Sequence, residues 1–239
     1  MNKHYIALLR HGEYHQQVHV PSALQPYPLT NRGEAQALKA AQCIQEFAQM
    51  HNLAIHQTID CSPLLRSWQT ADIIAKKIDS ETMRVESFDA LIERSVGSVA
   101  NLTIAEIEQV ISADPRFDKP PLDWKSNSTY RLPFYGAESL MQAGERVQQH
   151  IQRAINNLVF ECRIPSVKLM VGHGASLRHA AHLMGIIEFD EIAKLSMHHA
   201  RPIIFEINAM GLKHVSGEWK TRDSAVFNNS LTLPSDFSD

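Results

Sequence analysis

Tyr5-Ile6-Ala7-Leu8-Leu9 runs directly into Arg10-His11-Gly12, and this stretch decides the fold. A short, continuous apolar run is typical of a strand buried on both faces, as in a parallel sheet. The run stops abruptly at a cation, an imidazole and a glycine, as a buried strand does where it ends in a loop. We therefore expect a buried parallel strand that carries polar chemistry at its carboxyl end.

The rest of the chain alternates strand-like and helix-like segments. Strands are predicted over Leu53 to Cys61, Met83 to Phe88, Val167 to Val171 and Pro202 to Asn208. Helices are predicted from a Thr30 N-cap to about Met50, from a Ser62-Pro63 cap and first turn to about Lys77, and over Thr103 to Ser112, Glu138 to Phe160 and Ala175 to Met184. This alternation predicts an α/β fold, a three-layer αβα sandwich with a mostly parallel central sheet. No internal repeat or linker-like boundary interrupts it, so a single domain over residues 1–239 is expected.

Composition narrows the classes of partner. Hydrophobic residues make up 44% of the chain and charged residues 21%, which favours a packed globular protein. The formal net charge of −3 gives no general field for nucleic acid or an anionic membrane, so neither is expected as a partner. The run Tyr5 to Leu9 is too short for a secretory signal, and three cysteines form no disulfide framework. A cytoplasmic protein is expected, and its oligomeric state, a homodimer included, stays open.

Three segments place cationic or imidazole side chains after predicted strands. They are Arg10-His11-Gly12 after the first strand, Arg66 in the first turn after Ser62-Pro63, and His173 between two glycines. In an open α/β sheet, ligands bind beyond the carboxyl ends of the strands. Arginine can fork onto two phosphate oxygens, and a helix N-terminus adds backbone N–H groups. Together these segments predict a site for a phosphate dianion.

The motifs resemble those of the histidine phosphatase superfamily, also called the phosphoglycerate mutase-like family. The matching segments, in the expected order, are Leu9-Arg10-His11-Gly12-Glu13, Pro28 to Ala37, Ser62 to Ala71, Leu91-Ile92-Glu93-Arg94, Gly136-Ala137-Glu138-Ser139 and Gly172 to Arg178. Each segment alone is a weak signal, whereas the ordered set is specific and spans roughly residues 5–210.

The resemblance implies a two-step phosphoryl transfer. Neutral His11 would attack phosphorus and become a phosphohistidine, which water then hydrolyses to inorganic phosphate. Arg10, Arg66 and His173 would hold the phosphoryl oxygens, and His173 would be protonated beside the bound dianion. Glu93 would protonate the leaving oxygen and then serve as the base for water. No metal and no organic cofactor is expected, because two arginines and His173 supply the positive charge that a metal would otherwise bring.

Departures from the family pattern bear on the reaction. Gln17 stands where many members carry an asparagine that contacts the phosphoryl group, and its longer amide is kept as a candidate phosphate ligand. The segment Gln16 to Pro28 lacks the glycine- and tryptophan-containing stretch of the mutases, and Gly97 to Asn101 replaces a common glutamate-glycine pair. These departures favour a phosphatase for a small phosphorylated metabolite. A cofactor-dependent phosphoglycerate mutase and an inactive member that binds phosphorylated ligands or protein partners remain alternatives.

Two other features have competing interpretations. His11, His15 and His19 have four-residue spacing, but Pro21 and the lack of apolar period argue against a helical metal site. Glu93 competes with Glu86 and Asp89 as the proton donor, and its assignment depends on the family match.

The segment Asp114 to Tyr135 contains four prolines and no period, which predicts a long loop. It carries the cations Arg116, Lys119, Lys125 and Arg131 and the aromatic residues Phe117, Trp124, Tyr130 and Phe134. We expect this loop to select the substrate. The alternative is a loop that only packs its aromatic side chains on the core.

Overall fold

The computed structural model describes residues 3–222, so residues 1–2 and 223–239 of the predicted domain lie outside the described part. The strands are β1 (His4–Arg10), β2 (Ala54–Ile55), β3 (Thr58–Cys61), β4 (Arg84–Ser87), β5 (Ser166–Gly172), β6 (Leu195–Ser196), β7 (Ile203–Asn208), β8 (Gly211–Ser216) and β9 (Lys220–Thr221). The helices are α1 (Asn31–Met50), α2 (Leu65–Asp79), α3 (Ile104–Ala113), α4 (Leu140–Glu161) and α5 (Gly174–Leu183). Short 3₁₀ helices cover Asp89–Leu91, Gly97–Val99 and Phe189–Lys194.

Seven strands form one mixed sheet in the order β4-β3-β5-β1-β7-β8, with β2 also paired to β5. Strands β4, β3, β5 and β1 pair in parallel with one another. Strand β7 is antiparallel to β1, and β8 is antiparallel to β7. The predicted three-layer α/β fold with a mostly parallel sheet is confirmed. Strands β6 and β9 make a separate two-stranded sheet.

Alternation along β1 explains the two covered faces. Tyr5, Ala7 and Leu9 pack with buried residues of α1 and α2, whereas Ile6 and Leu8 pack with those of α4 and α5. Because successive side chains of a strand point to opposite faces, a continuous apolar run fills both layers. No helix within residues 3–222 has the length and apolar character needed to cross a membrane.

The structure corrects two predicted boundaries. The strand expected over Leu53 to Cys61 is split into β2 and β3. Both parts pair with β5, but residues 56–59 between the two paired stretches face only residues 168–169 of β5, so the pairing is interrupted there. Helix α2 starts at Leu65, and its N-cap is Leu64 rather than Ser62-Pro63. The hydroxyl of Ser62, three residues before the helix, accepts a hydrogen bond from His173 Nε2 at 2.9 Å.

A third, smaller core lies beneath the predicted loop. Its buried members are Ala23, Val96, Val99, Ile107, Ile111, Trp124, Leu132 and Ala137. The loop aromatics Phe117, Tyr130 and Phe134 are partly buried against it. No helix or strand falls within residues 114–135, as the proline content predicts. The loop therefore has its own apolar anchor, shared with Ala23 of the segment that follows β1.

Candidate active site

The site forms where three neighbouring strands end. Arg10 at the end of β1 is paired with Gly172 of β5, and Cys61 at the end of β3 is paired with Val171. His11, Ser62 and His173 are the residues that follow these strands, so the parallel register brings them to one edge of the sheet. The strand-end prediction therefore places His11 and His173 together, with ring centroids 5.1 Å apart.

The His11 ring has a defined tautomer. Arg66 Nε donates to His11 Nε2 at 3.1 Å, which requires an unprotonated Nε2. The proton is then on Nδ1, which donates to the carbonyl of Gly12 at 2.7 Å. Burial lowers the pKa of His11 well below its ordinary value, and the positive charges of Arg66 and Arg10 lower it further. His11 is therefore a neutral imidazole with its Nε2 lone pair on the arginine side.

Arg66 is the centre of the cluster and is fully buried. Its Nη1 donates to the carbonyl of Gln25 at 2.9 Å, and its Nη2 to the carbonyls of Ser22 and Ala23 at 3.1 Å each. Nη2 also lies 3.2 Å from His173 Nδ1. The guanidinium thus joins both histidines to the segment that follows β1.

His173 is the N-cap of α5 and is also fully buried. Because Nδ1 accepts from Arg66, the ring proton is on Nε2, which donates to the Ser62 hydroxyl at 2.9 Å. Burial lowers the pKa of His173 well below its ordinary value, and the charges of Arg66 and Arg10 act in the same direction. The ligand-free ring is neutral, so the protonated state expected from the sequence requires a bound anion to raise this pKa.

Arg10 and Glu93 are also buried at this edge, each with no more than 5% of its surface exposed. Arg10 Nη1 donates to the carbonyl of Met197 at 3.1 Å. Glu93 Oε1 accepts from the backbone N–H groups of Arg94 at 2.9 Å and Ser176 at 3.2 Å. Ser176 is in the first turn of α5, so Glu93 is held beside the helix that His173 caps.

The structure separates Glu93 from the two acids that compete with it. Glu86 and Asp89 are exposed, whereas Glu93 is buried and its charge acts on Arg66 and Tyr14. Gln17, by contrast, is not brought into the cluster. Its side chain is exposed, and its Oε1 accepts from the Tyr27 hydroxyl at 3.3 Å. Gln25 of the same segment is fully buried and contacts Arg66 through its backbone carbonyl, while its side-chain amide bonds to the backbone of Gln17 and Pro21.

Sequence reasoning missed Tyr14, Gln25 and His199. The ring of His199 lies 5.7 Å from that of His11, because β7 is antiparallel to β1 and the residues before it therefore meet the carboxyl end of β1. Assigning the last predicted strand, Pro202 to Asn208, as antiparallel to the first would have indicated that His199 lies near His11. Nothing in the sequence pattern indicates Tyr14 or Gln25.

The histidine spacing that raised a metal site does not form a cluster. His15 and His19 are exposed, whereas His11 is buried. Across the described residues, no group of three or more histidine, cysteine, aspartate or glutamate side chains has an arrangement that could hold a metal ion.

Fold and site define an α/β protein with two arginines, two histidines and a glutamate buried at the carboxyl edge of its sheet. Residues 6–218 match the Histidine phosphatase superfamily (branch 1), and the chain belongs to this family.

Relatives and solved structures of two kinds are similar to the chain. It is 25% identical over 219 residues to a 2,3-bisphosphoglycerate-dependent phosphoglycerate mutase of Bifidobacterium longum, covering 85% of this chain and 86% of the mutase. It is 27% identical over 212 residues to a second such mutase, from Lactobacillus johnsonii, with 84% and 90% covered. The fold matches the mycobacterial glucosyl-3-phosphoglycerate phosphatase with a TM-score of 0.65 at 17% identity, covering 91% of this chain and 97% of that one. It matches the alpha-ribazole phosphatase of Shigella flexneri with a TM-score of 0.64 at 19% identity, covering 88% and 94%.

Proposed function

We propose that the protein is a phosphomonoesterase that hydrolyses a small phosphorylated metabolite through a phosphohistidine on His11. The observation that carries this proposal is the state of the His11 ring. Its Nδ1 proton is held by the Gly12 carbonyl, so the Nε2 lone pair is free of a proton and faces Arg66. A neutral imidazole beside a buried cation has the charge state that a phosphoryl-accepting nucleophile needs.

In the first step, His11 Nε2 forms a bond to phosphorus as the bond from phosphorus to the ester oxygen breaks. Arg10 and Arg66 hold the phosphoryl oxygens, and their charges offset the charge that builds up in the transition state. His173 becomes protonated beside the dianion and adds a third donor. Glu93 transfers a proton to the leaving oxygen, so the alcohol departs neutral.

In the second step, water attacks the phosphorus of the phosphohistidine. Glu93, now a carboxylate, takes a proton from that water, and the bond between phosphorus and Nε2 breaks. Inorganic phosphate leaves and His11 returns to its starting tautomer. Arginine and histidine charges supply the electrostatic stabilisation, and no metal or organic cofactor enters this scheme.

Substrate access requires a change in the segment that covers the cluster. The carbonyls of Ser22, Ala23 and Gln25 occupy N–H groups of Arg66. A phosphate ester that uses both nitrogens of the guanidinium fork therefore displaces at least part of this segment. The exchange is favourable because a dianion is a stronger acceptor for arginine than a neutral carbonyl.

The proposal is tested by a turnover screen over sugar phosphates, phosphoglycerates, nucleotides and phosphoamino acids. Wild type is compared with His11→Ala and with His15→Ala, the matched control, since His15 is exposed and outside the cluster. Turnover should vanish in His11→Ala and persist in His15→Ala. Rapid quench with labelled substrate should place an acid-labile label on His11. Label on His173, or full activity without His11, would contradict the mechanism.

A mutase is the second candidate, because the relatives cited above from Bifidobacterium longum and Lactobacillus johnsonii are mutases. The two functions differ in the fate of the phosphohistidine. A mutase returns the phosphoryl group to a bound phosphoglycerate, whereas a phosphatase passes it to water. Product analysis with labelled 3-phosphoglycerate, read as isomerised ester against released phosphate, separates them.

Residues 114–135 are proposed to select the leaving group. The loop is tied to the site through Trp124, whose Nε1 donates to Glu108 Oε1 at 2.9 Å and whose ring lies 5.9 Å from the guanidinium carbon of Arg94. Arg94 directly follows the proposed proton donor, Glu93. The aromatic side chains anchor the loop in the third core, so its cations are the groups left to recognise substrate.

The four loop cations are not equivalent. Arg116 forks onto the carboxylate of Asp114, with its Nη2 2.6 Å from Oδ2, so its charge is already compensated. Lys119 and Arg131 are exposed, and Lys125 is half-buried. Lys119 and Arg131 are therefore the better candidates for contact with an anionic leaving group.

Neutralising each cation singly to glutamine tests the loop, with Lys39→Gln on the exposed surface of α1 as control. One lost charged contact should lower kcat/KM for the true substrate by about 10- to 150-fold. Hydrolysis of a simple aryl phosphate should be nearly unchanged, since it uses only the phosphoryl pocket. If all four variants keep the full preference among esters, the loop does not set specificity.

A further inference from the structure

Arg66 is a buried cation that has no carboxylate within salt-bridge distance among residues 3–222. Its polar contacts are neutral: the two histidine rings and the carbonyls of Ser22, Ala23 and Gln25. A buried charge without an ionic partner is costly and needs some other source of stabilisation.

The ring of Tyr14 provides such a source at close range, in addition to the more distant charge of Glu93. The guanidinium carbon of Arg66 lies 4.6 Å from the centroid of the Tyr14 ring, well within the range of a cation–π contact. The same ring meets His11 edge-on, with centroids 5.3 Å apart and planes at 86°. Tyr14 is 5% exposed, so water does not screen either contact. One aromatic side chain thus contacts both the proposed nucleophile and its arginine.

We propose that Tyr14 is a positioning residue whose ring face holds Arg66 on the Nε2 side of His11. This inference rests on the proposed function for its kinetic consequences, whereas its structural content concerns the His11 tautomer alone. The ring acts through the guanidinium: with the face in place, Arg66 Nε points at His11 Nε2 and the ring proton stays on Nδ1. Without the aromatic ring, the competing carbonyls of the covering segment, residues 22–25, draw the guanidinium away from His11.

The backbone and side chain of Tyr14 have contacts of their own besides the one with Arg66. Tyr14 forms an isolated antiparallel bridge with Leu29, and its hydroxyl lies 3.5 Å from Gln25 Oε1. Gln25 is itself fixed, because its Oε1 accepts from the Gln17 N–H at 2.8 Å and its Nε2 donates to the Pro21 carbonyl at 3.1 Å. Burial raises the pKa of Tyr14 to about 12, so the phenol stays neutral. The ring face, and not a phenolate, therefore contacts the cation.

Three variants separate the ring face from simple packing. Tyr14→Phe keeps the aromatic face and loses the hydroxyl. Pentafluorophenylalanine at position 14 keeps the shape of the phenylalanine ring but makes the ring face electropositive instead of electronegative. Tyr14→Leu keeps apolar burial without a face. Circular dichroism and urea unfolding establish whether each variant folds. If Tyr14→Leu does not fold, the variant with the fluorinated ring still tests the proposal.

The first readout is the His11 ring, followed by nuclear magnetic resonance of ¹⁵N-histidine protein. Wild type and Tyr14→Phe should show unprotonated Nε2 and a strongly depressed titration midpoint. In the fluorinated and leucine variants the midpoint should rise by about one pH unit or more, because Arg66 moves away while Arg10, His173 and His199 remain. Equal midpoints in all four proteins would overturn the proposal.

The second readout is kcat and the pH profile of kcat/KM. A desolvated cation–π contact has a strength equivalent to roughly a 30-fold change in kcat, and that loss is expected for the fluorinated and leucine variants. Their acid limb should move to higher pH, whereas Tyr14→Phe should stay within about threefold of wild type. If no protein turns over but the His11 midpoints differ as described, the proposed function fails and the positioning role stands. Normal turnover in every variant together with equal His11 midpoints overturns the positioning role and leaves the proposed function in place.

Discussion

Replacing Arg66 by lysine keeps the charge and removes the fork, so it isolates what the guanidinium geometry contributes. The guanidinium uses Nε towards His11, Nη1 towards Gln25, and Nη2 towards Ser22, Ala23 and His173. These acceptors lie on different sides of a planar group. A lysine ammonium presents three donors from one point and cannot span them.

The expected loss in kcat/KM follows from the hydrogen bonds between Arg66 and the phosphoryl group that lysine cannot make. A hydrogen bond to a charged group contributes about 1.5–3 kcal/mol, and a forked arginine makes two of them. Arg66→Lys should therefore lower kcat/KM by about 10²- to 10⁴-fold. The buried carbonyls of Ser22 and Ala23 also lose their donor, which should lower the free energy of unfolding by about 1–3 kcal/mol.

Steady-state hydrolysis of an aryl phosphate and urea unfolding measure the two effects on the same protein. Arg153→Lys, an exposed arginine of α4, is the matched control and should leave both unchanged. A competitive titration with inorganic phosphate should show weaker binding to Arg66→Lys, because the fork contacts the ground state as well. Arg66→Lys with kcat/KM within fivefold of wild type would refute the bidentate role.

Three further outcomes are expected. Burial lowers the pKa values of His11, His173 and His179, the last to about 4, so the unfolded chain binds more protons below the ordinary pKa of 6.5. The free energy of unfolding from urea titrations should therefore be highest above pH 6.5 and fall towards pH 4, with His179 alone accounting for about 3 kcal/mol at most; a flat profile would contradict neutral buried rings. Glu93→Gln should slow hydrolysis of alkyl phosphates by about 10²- to 10⁴-fold and of aryl phosphates much less, since a good leaving group needs no acid; equal loss on both would count against the proton-donor role. Turnover should survive EDTA, because arginine and histidine charges serve the transition state; activity lost to EDTA and restored by Mg²⁺ or Zn²⁺ would reverse that expectation.

The position of His11 beside His173 follows from local sequence signals. Each lies directly after an apolar run that forms a parallel strand, and the carboxyl ends of parallel strands share one edge of the sheet. Arg66 is reached in the same way, one short turn beyond β3. These residues needed only the strand assignments and the rule for parallel sheets, so the sequence was sufficient to predict them.

Residues brought in by packing were beyond sequence reasoning. Gln17 stands where many family members carry an asparagine and yet is exposed, and the buried amide of its segment is that of Gln25, eight positions later in the chain. The ring of Tyr14 contacts both His11 and Arg66, a relation that depends on the path of the whole segment. Apolar period and turn residues do not specify such a path, since its bonds run from side chains to irregular backbone.

Gly144 shows the same limit and yields a further test. A glycine inside a helix ordinarily weakens it, and replacement by alanine gains about 1 kcal/mol of helix propensity. Here a Cβ would lie 2.6 Å from His179 Cβ and 2.9 Å from its backbone carbonyl carbon, because α4 and α5 cross at this point. Neither atom can move without shifting α5.

Gly144→Ala should therefore lower the free energy of unfolding, since overpacking costs typically about 1–3 kcal/mol and exceeds the gain in propensity. It should also lower kcat, because α5 begins directly after His173 and a shift of the helix moves that ring away from Arg66. Asn157→Ala, at an exposed position of α4, measures the propensity gain alone and should stabilise the protein slightly. If Gly144→Ala proves as stable as Asn157→Ala in urea unfolding, close approach of the two helices does not fix the position of His173.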